Sequence, residues 1–226
     1  MENKRIKAVL WDMDGTLFNT KPGIEKALSD ACDELSFPSI ATEDVETFIG
    51  PPIQYGFKNY FNLPLERAIE CANVFRKFYR DKGYVEECDP YEGLVESLKE
   101  LKSRGYFLGV CTLKKQDMAD RIVKRYGMKE LFDSVVGTDA NDSIKKEDTI
   151  ALSCEKWGIG TEEAVLIGDT EYDALGAEKA ESLFIGVTYG FGFKTEKDVD
   201  EYQNIGTAHS PKEVCDIVYT FNKEAV

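Results

Sequence analysis

Apolar positions recur along the chain with two different periods. Ala8 to Trp11 are apolar without interruption and run into Asp12-Met13-Asp14-Gly15, which predicts a buried strand ending in a sharp turn. The period then lengthens. Pro22 opens a stretch in which Ile24, Ala27, Leu28, Ala31, Cys32 and Leu35 fall on one helical face, with Thr20 as its cap. A second helix is predicted from Thr42, with Val45, Phe48 and Ile49 on one side, ending at Gly50-Pro51-Pro52, where no helix can continue. Ile53 to Phe61 predicts a short aromatic helix. Leu65 to Tyr79 predicts a longer one with Ala68, Ala72, Phe75 and Tyr79 in a stripe. From Thr16 to about Val85 the pattern contains helices only.

Past Pro90 the two periods alternate. Helices are predicted at Leu94 to Ser103, Gln116 to Tyr126, Asp148 to Trp157, Asp173 to Ala180 and Pro211 to Asn222. Between them lie strands at Tyr106 to Thr112, Ser134 to Gly137, Ala164 to Gly168 and Leu183 to Val187. Strands separated by helices pair in parallel through right-handed crossovers. The fold class is therefore α/β: a Rossmann-like parallel sheet flanked by helices, with a helical unit inserted after the first strand. Residues 1–15 and 86–226 form the core and 16–85 the insertion. No repeat or low-complexity segment interrupts this scheme.

Composition narrows the partners. The 226 residues, 42% hydrophobic, suffice for one substantial core and a smaller second unit. A formal net charge of −14 disfavours nucleic acid polymers and anionic membrane surfaces, so a phosphate ligand must be captured by a local arrangement of groups. No segment approaches the roughly 20 apolar residues of a membrane span, and the start of the chain does not read as a signal peptide. A cytoplasmic protein, monomeric or weakly dimeric, is expected. Cys32, Cys71, Cys88, Cys111, Cys154 and Cys215 form no C-x-x-C pair and read as buried reduced thiols. His209 is the sole histidine and lies in a polar stretch, which argues against histidine chemistry.

Candidate chemistry collects at strand ends, where α/β sheets bind ligands. The first strand delivers Asp12 and Asp14, the strand over 106–112 ends in Thr112, and Leu166-Ile167-Gly168 ends in Asp169, with Asp173 four residues on. Lys145-Lys146 opens the helix between the last two. Each has an ordinary explanation alone: an Asp-Gly turn, a β-branched strand residue, a helix cap, a solvated carboxylate, a surface lysine. Those explanations do not predict the shared order on successive strands.

That order, Asp12-x-Asp14-Gly15-Thr16, then Thr112, a lysine, and Gly168-Asp169-x-x-x-Asp173, resembles the four motifs of the haloacid dehalogenase (HAD) superfamily of phosphatases. The helical insertion resembles that superfamily's cap domain. Thr20-Lys21-Pro22-Gly23-Ile24, Ile49-Gly50-Pro51-Pro52 and Thr188-Tyr189-Gly190-Phe191-Gly192 are similar to its phosphoglycolate phosphatase-like group, particularly the 5′-nucleotidase-like members. The resemblance implies a phosphomonoesterase acting on small phosphorylated metabolites of the nucleoside 5′-monophosphate or phosphoglycolate type. A β-phosphoglucomutase-like phosphoryl transfer would use the same motifs. Mg²⁺ would be held by Asp12, Asp169 and the carbonyl of Asp14. Asp12 would attack phosphorus, and Asp14 would serve as acid and then base. Thr112 and Lys146 would grip the phosphoryl oxygens, with Asp173 orienting the lysine or a metal-bound water.

Counting back from Trp157-Gly158-Ile159 favours Lys146, with Lys145 the alternative. Two departures stand out: Trp11 replaces the usual Phe, and Thr112-Leu113-Lys114 has no small polar residue after the hydroxyl. Tyr55, Phe57, Tyr60, Phe61, Phe75, Phe78 and Tyr79 read mainly as the core of the insertion, and Tyr189 to Phe193 either as a turn or as a loop approaching the site. The insertion is rich in aromatic and acidic residues without a basic cluster, which favours a neutral, flat leaving group such as a nucleoside over the carboxylate of phosphoglycolate.

Overall fold

A computed structural model describes residues 5–224. In chain order the elements are β1 (Ala8–Trp11), β2 (Phe18–Asn19), α1 (Lys21–Leu35), α2 (Ile53–Tyr60), α3 (Leu65–Asp81), β3 (Asp89–Pro90), α4 (Leu94–Ser103) and β4 (Phe107–Lys115). They continue with α5 (Gln116–Arg125), β5 (Ser134–Thr138), α6 (Lys146–Trp157), β6 (Ala164–Gly168), α7 (Glu171–Lys179), β7 (Leu183–Val187), α8 (Glu196–Asp200), β8 (Thr207–Ala208) and α9 (Pro211–Glu224). Six strands form one parallel sheet in the order β5-β4-β1-β6-β7-β8.

The apolar first strand is explained by its place. β1 lies between two neighbours and is covered on both faces, so all four of its residues are buried. Its side chains alternate: Val9 and Trp11 join the core that also holds Leu98 of α4, Ile122 of α5 and Val214 of α9. Ala8 and Leu10 join Ile150 and Cys154 of α6 and Ala174 and Ala177 of α7 on the other face. The result is a helix–sheet–helix sandwich.

The chain leaves this sandwich after β1 and returns at β3 through a two-stranded antiparallel ribbon, Phe18 opposite Pro90 and Asn19 opposite Asp89. Between the two strands of the ribbon, α1 and α3 pack along one another and α2 packs on α3. Phe57, Phe75 and Tyr79 are buried there, whereas Tyr55 and Tyr60 are exposed.

Several elements differ from expectation. The helix expected from Thr42 is one 3-10 turn, Val45–Phe48, because Gly50-Pro51-Pro52 leaves too little chain to repay helix nucleation; Val45 and Phe48 are still buried. Thr20 occupies the cap position of α1, but its backbone is helical (φ −94°, ψ 0°), and its buried hydroxyl makes no hydrogen bond. β2, β3 and β8 are two residues each, and α8 is five, too short for a period to register. β4 runs on through Lys115, past its expected end at Thr112. All six cysteines are buried free thiols, as read from the sequence. No helix among the described residues is long and apolar enough to cross a membrane.

Candidate active site

Register places the strand-end residues side by side. Trp11 is opposite both Val110 of β4 and Ile167 of β6, so Asp12, Thr112 and Asp169 follow at the same edge of the sheet. The backbone N–H of Asp12 donates to the Ile167 carbonyl at 2.9 Å. Gly15 then turns the chain with φ +83°, and a Cβ there would stand 2.3 Å from Asp169 Oδ2. Only glycine satisfies both requirements.

Lys146 reaches the centre from the first residue of α6. Its ammonium lies 2.5 Å from Asp12 Oδ1 and 2.7 Å from Asp173 Oδ1, and donates to the Cys111 carbonyl at 2.9 Å. Its stem passes over Gly176 of α7, where a Cβ would come within 2.3 Å of Lys146 Cγ. Lys145 is exposed at the helix cap, and its backbone N–H donates to Asp148 Oδ2 at 2.9 Å, so it is Lys146 that stands at the site.

Asp173 is neither solvated nor distant. α7 begins at Glu171, two residues earlier than expected, because Asp173 folds back to accept from Thr170 N at 3.0 Å and from Thr170 Oγ1 at 2.6 Å. Its other oxygen faces Lys146, so this carboxylate is the fixed anchor of the lysine.

Asp169 is wholly buried. One of its oxygens accepts the Thr16 hydroxyl at 3.2 Å; the other accepts the N–H groups of Phe191 and Gly192 at 2.7 and 3.1 Å. The loop over 189–193 thus approaches the site, held there also by Tyr189, whose hydroxyl donates to the Thr16 carbonyl at 3.1 Å.

Asp12, Asp169 and Asp173 each present an oxygen, all within 4.8 Å of one another. Burial pushes the Asp12 carboxyl up to about 8; Lys146 opposes the rise, and Asp173, Asp14 and Asp169 add to it. Burial, then Asp173, pushes Asp169 up to about 7 against the N–H groups and hydroxyl it accepts. Lys146 offsets only part of this density of negative charge. Hard oxygen donors around uncompensated charge fit a hard divalent cation such as Mg²⁺. With Asp173 committed to Lys146 and Thr170, Asp12 and Asp169 are the carboxylates that can hold it; Asp12 Oδ1 and Asp169 Oδ1 each accept a single hydrogen bond and keep a second lone pair.

The carboxylate of Asp14 points elsewhere. Its Oδ1 lies 3.0 Å from the ammonium of Lys114, which also donates to the hydroxyl of Tyr79 on α3 at 3.2 Å. Burial pulls Lys114 down, but Asp14 and Tyr79 outweigh it and the net shift is upward. Thr112 accepts the backbone N–H of Lys114 at 3.2 Å, which leaves its own hydroxyl proton free to donate. Asp14, Phe75, Arg76, Tyr79, Lys114 and Lys115 line one cavity between the inserted helices and the sheet edge. The cation-poor surroundings expected from the composition of the insertion are therefore not found, because β4 supplies two lysines to the same space.

Asp12, Lys146, Asp169 and Asp173 are thus gathered as the sequence suggested, with Thr112 beside them and Asp14 facing the insertion. Lys114, its bond to Tyr79 and the Thr16 hydroxyl were not foreseen, while the Phe191 and Gly192 amides fit the second of the two readings left open for the 189–193 loop. Lys114 carried no such signal: it lies in the irregular stretch of β4 between Cys111 and Lys115, where strand alternation does not fix which way a side chain points.

The sequence profile of the haloacid dehalogenase-like hydrolases matches residues 9–187. A pyrophosphatase PpaX of Bacillus velezensis is 31% identical over 190 residues, covering 84% of this chain and 86% of the relative. A 5′-nucleotidase of Pseudomonas aeruginosa is 30% identical over 212 residues, covering 93% and 91%. Among solved structures, a haloacid dehalogenase-like family hydrolase from Streptococcus pneumoniae superposes with a TM-score of 0.84 at 30% identity, covering 95% of this chain and 98% of that one.

Proposed function

The chain belongs to the haloacid dehalogenase-like hydrolases, and from that premise we propose that it is a Mg²⁺-dependent phosphomonoesterase of small phosphorylated metabolites working through an aspartyl-phosphate on Asp12. The observation that carries this reading is the clasp around Asp12: a carboxylate at a strand end, fixed by Lys146 and packed among Asp169 and Asp173. In the phosphatase reading, Asp12 and Asp169, with the Asp14 carbonyl, would hold Mg²⁺, which would screen the approach of an anionic nucleophile to an anionic ester.

The residues of the chain do the rest. Asp12 attacks phosphorus while Asp14 gives a proton to the departing oxygen; Asp14 then takes a proton from the water that attacks the aspartyl-phosphate. Lys146 and the Thr112 hydroxyl donate to the non-bridging phosphoryl oxygens. Asp173 and the Cys111 carbonyl keep the lysine in position while the N–H that meets Asp12 in the structure turns to the phosphoryl group. We assign the inserted helices, roughly residues 16–85, as a cap over the leaving group.

The relatives' activities guide the first assay: phosphate release in Mg²⁺ from nucleoside 5′-monophosphates, pyrophosphate, phosphoglycolate and phenyl phosphate. Release of inorganic phosphate supports hydrolysis; transfer to a sugar hydroxyl in preference to water would replace it with a mutase reading. Lys146→Ala is expected to cost about 2–4 kcal/mol of transition-state stabilisation in kcat/KM, as for loss of one such donor. Lys145→Ala, at an exposed position, is expected to fall within about 0.5 kcal/mol of wild type. A larger loss for Lys145→Ala would reverse the assignment.

A further inference from the structure

Three lysine side chains, those of Lys114, Lys115 and Lys146, are under a tenth exposed, and they are not alike in how their donors are spent. Lys146 meets three oxygens, on Asp12, Asp173 and the Cys111 carbonyl. Lys115 also meets three, the carbonyls of Asp139 and Ala140 at 2.6 and 2.9 Å and Asp142 Oδ1 at 2.6 Å. Each of these ammonium groups makes two aligned hydrogen bonds and has a third, carboxylate, oxygen at 2.7 Å (Lys146) or 2.6 Å (Lys115).

Lys114 does not. Its side chain is 6% exposed, yet its one aligned hydrogen bond is to the Tyr79 hydroxyl. Asp14 Oδ1, 3.0 Å away, is close enough for attraction but receives no aligned hydrogen bond. A buried ammonium with unspent donors is costly unless something else accepts them. The cavity those donors share already tilts positive: Arg76, Lys114 and Lys115 face it, and the carboxylates paired with them are Asp14 and Asp142 alone, Asp142 being shared by Arg76 and Lys115.

Position gives this excess a meaning. Lys114 pairs with Asp14 and with Tyr79 of α3, whereas Asp12 pairs with Lys146. If Asp14 protonates the departing oxygen, whatever is attached to that oxygen lies beside Lys114. We propose that Lys114, with Arg76 across the cavity, is a specificity-determining residue that binds an anionic group carried by the leaving group, so that the preferred substrates bear a second phosphate or a carboxylate close to the scissile ester. This rests on the phosphomonoesterase reading and narrows it, against the neutral nucleoside that the composition of the insertion alone favoured.

The test compares kcat/KM for pyrophosphate and phosphoglycolate with that for a nucleoside 5′-monophosphate and phenyl phosphate, in Mg²⁺, for wild type, Lys114→Met and Lys114→Arg. Wild type is expected to favour one of the anionic-leaving-group pair, and which one separates phosphate from carboxylate. Lys114→Met is expected to cut that preference by roughly tenfold or more, chiefly through KM, the scale of a lost charge-assisted hydrogen bond. Lys114→Arg should restore most of it. An equal loss on all four substrates in Lys114→Met would make the lysine a tether between cap and core and overturn the inference, as would a wild-type preference for the nucleoside monophosphate. Phosphate release from none of the four by wild type would overturn the phosphomonoesterase reading itself.

Discussion

Asp12→Asn is expected to give a folded protein whose turnover is lower by roughly four to six orders of magnitude, the scale on which enzymes lose rate when their nucleophile is removed. An amide nitrogen and oxygen occupy almost the volume of the carboxylate, but neither attacks phosphorus. Binding and the remaining donors, Thr112 and Lys146, would account for what is left. The fold should survive because the substitution removes one of several buried carboxylates: the burial and neighbouring acids that push Asp12 up to about 8 show that its charge is a burden. Lys146 keeps Asp173 and the Cys111 carbonyl as partners. The check is single-turnover phosphate release alongside a thermal melt of metal-free protein. A midpoint no lower than wild type with activity gone fits the nucleophile reading; an active Asp12→Asn enzyme sinks it.

Metal removal should have a comparable effect. Asp12 and Asp169 share one small volume with Asp173, and a phosphate ester would bring further negative charge to it. Protein stripped with EDTA is expected to lose activity by roughly 10³-fold or more, since the cation supplies several kcal/mol of charge stabilisation, and Mg²⁺ should restore it. A rise in the melting midpoint with Mg²⁺ gives a readout independent of turnover. Ca²⁺ should raise the midpoint without restoring activity, because its larger and looser shell lets Asp12 bind through both oxygens and lose its line of attack. Undiminished turnover after stripping would contradict the metal assignment.

What the sequence disclosed and what it hid follow from the range of the interactions involved. β1 and β6 were legible because central strands bury both faces and therefore read as apolar runs, and Asp12 and Asp169 were legible because they follow those runs directly. Lys146 could be placed by its distance from the end of its helix. The 3-10 turn at Val45–Phe48 was overread because helical spacing reports which face is buried and not whether enough chain remains to form a helix. The groups that donate to Asp169, from Thr16 and the 189–193 loop, are tertiary contacts across more than 150 and more than 20 residues, invisible to any local period. Lys114 was hidden by the length of β4: with the strand ended at Thr112 it becomes a loop residue, whereas the three further residues carry it beneath Tyr79.

The proposed mechanism gives Asp14 a role in both half-reactions, so Asp14→Asn should slow formation of the aspartyl-phosphate and slow its hydrolysis. That makes it the variant in which a covalent species can be caught. The most direct test of the account is to quench Asp14→Asn during turnover in Mg²⁺, reduce the acyl-phosphate with borohydride and map the modified peptide by mass spectrometry. Reduction at Asp12, turning its carboxyl into the alcohol of homoserine, is the predicted result. A covalent phosphate on any other residue, or none at any time during turnover, would contradict it.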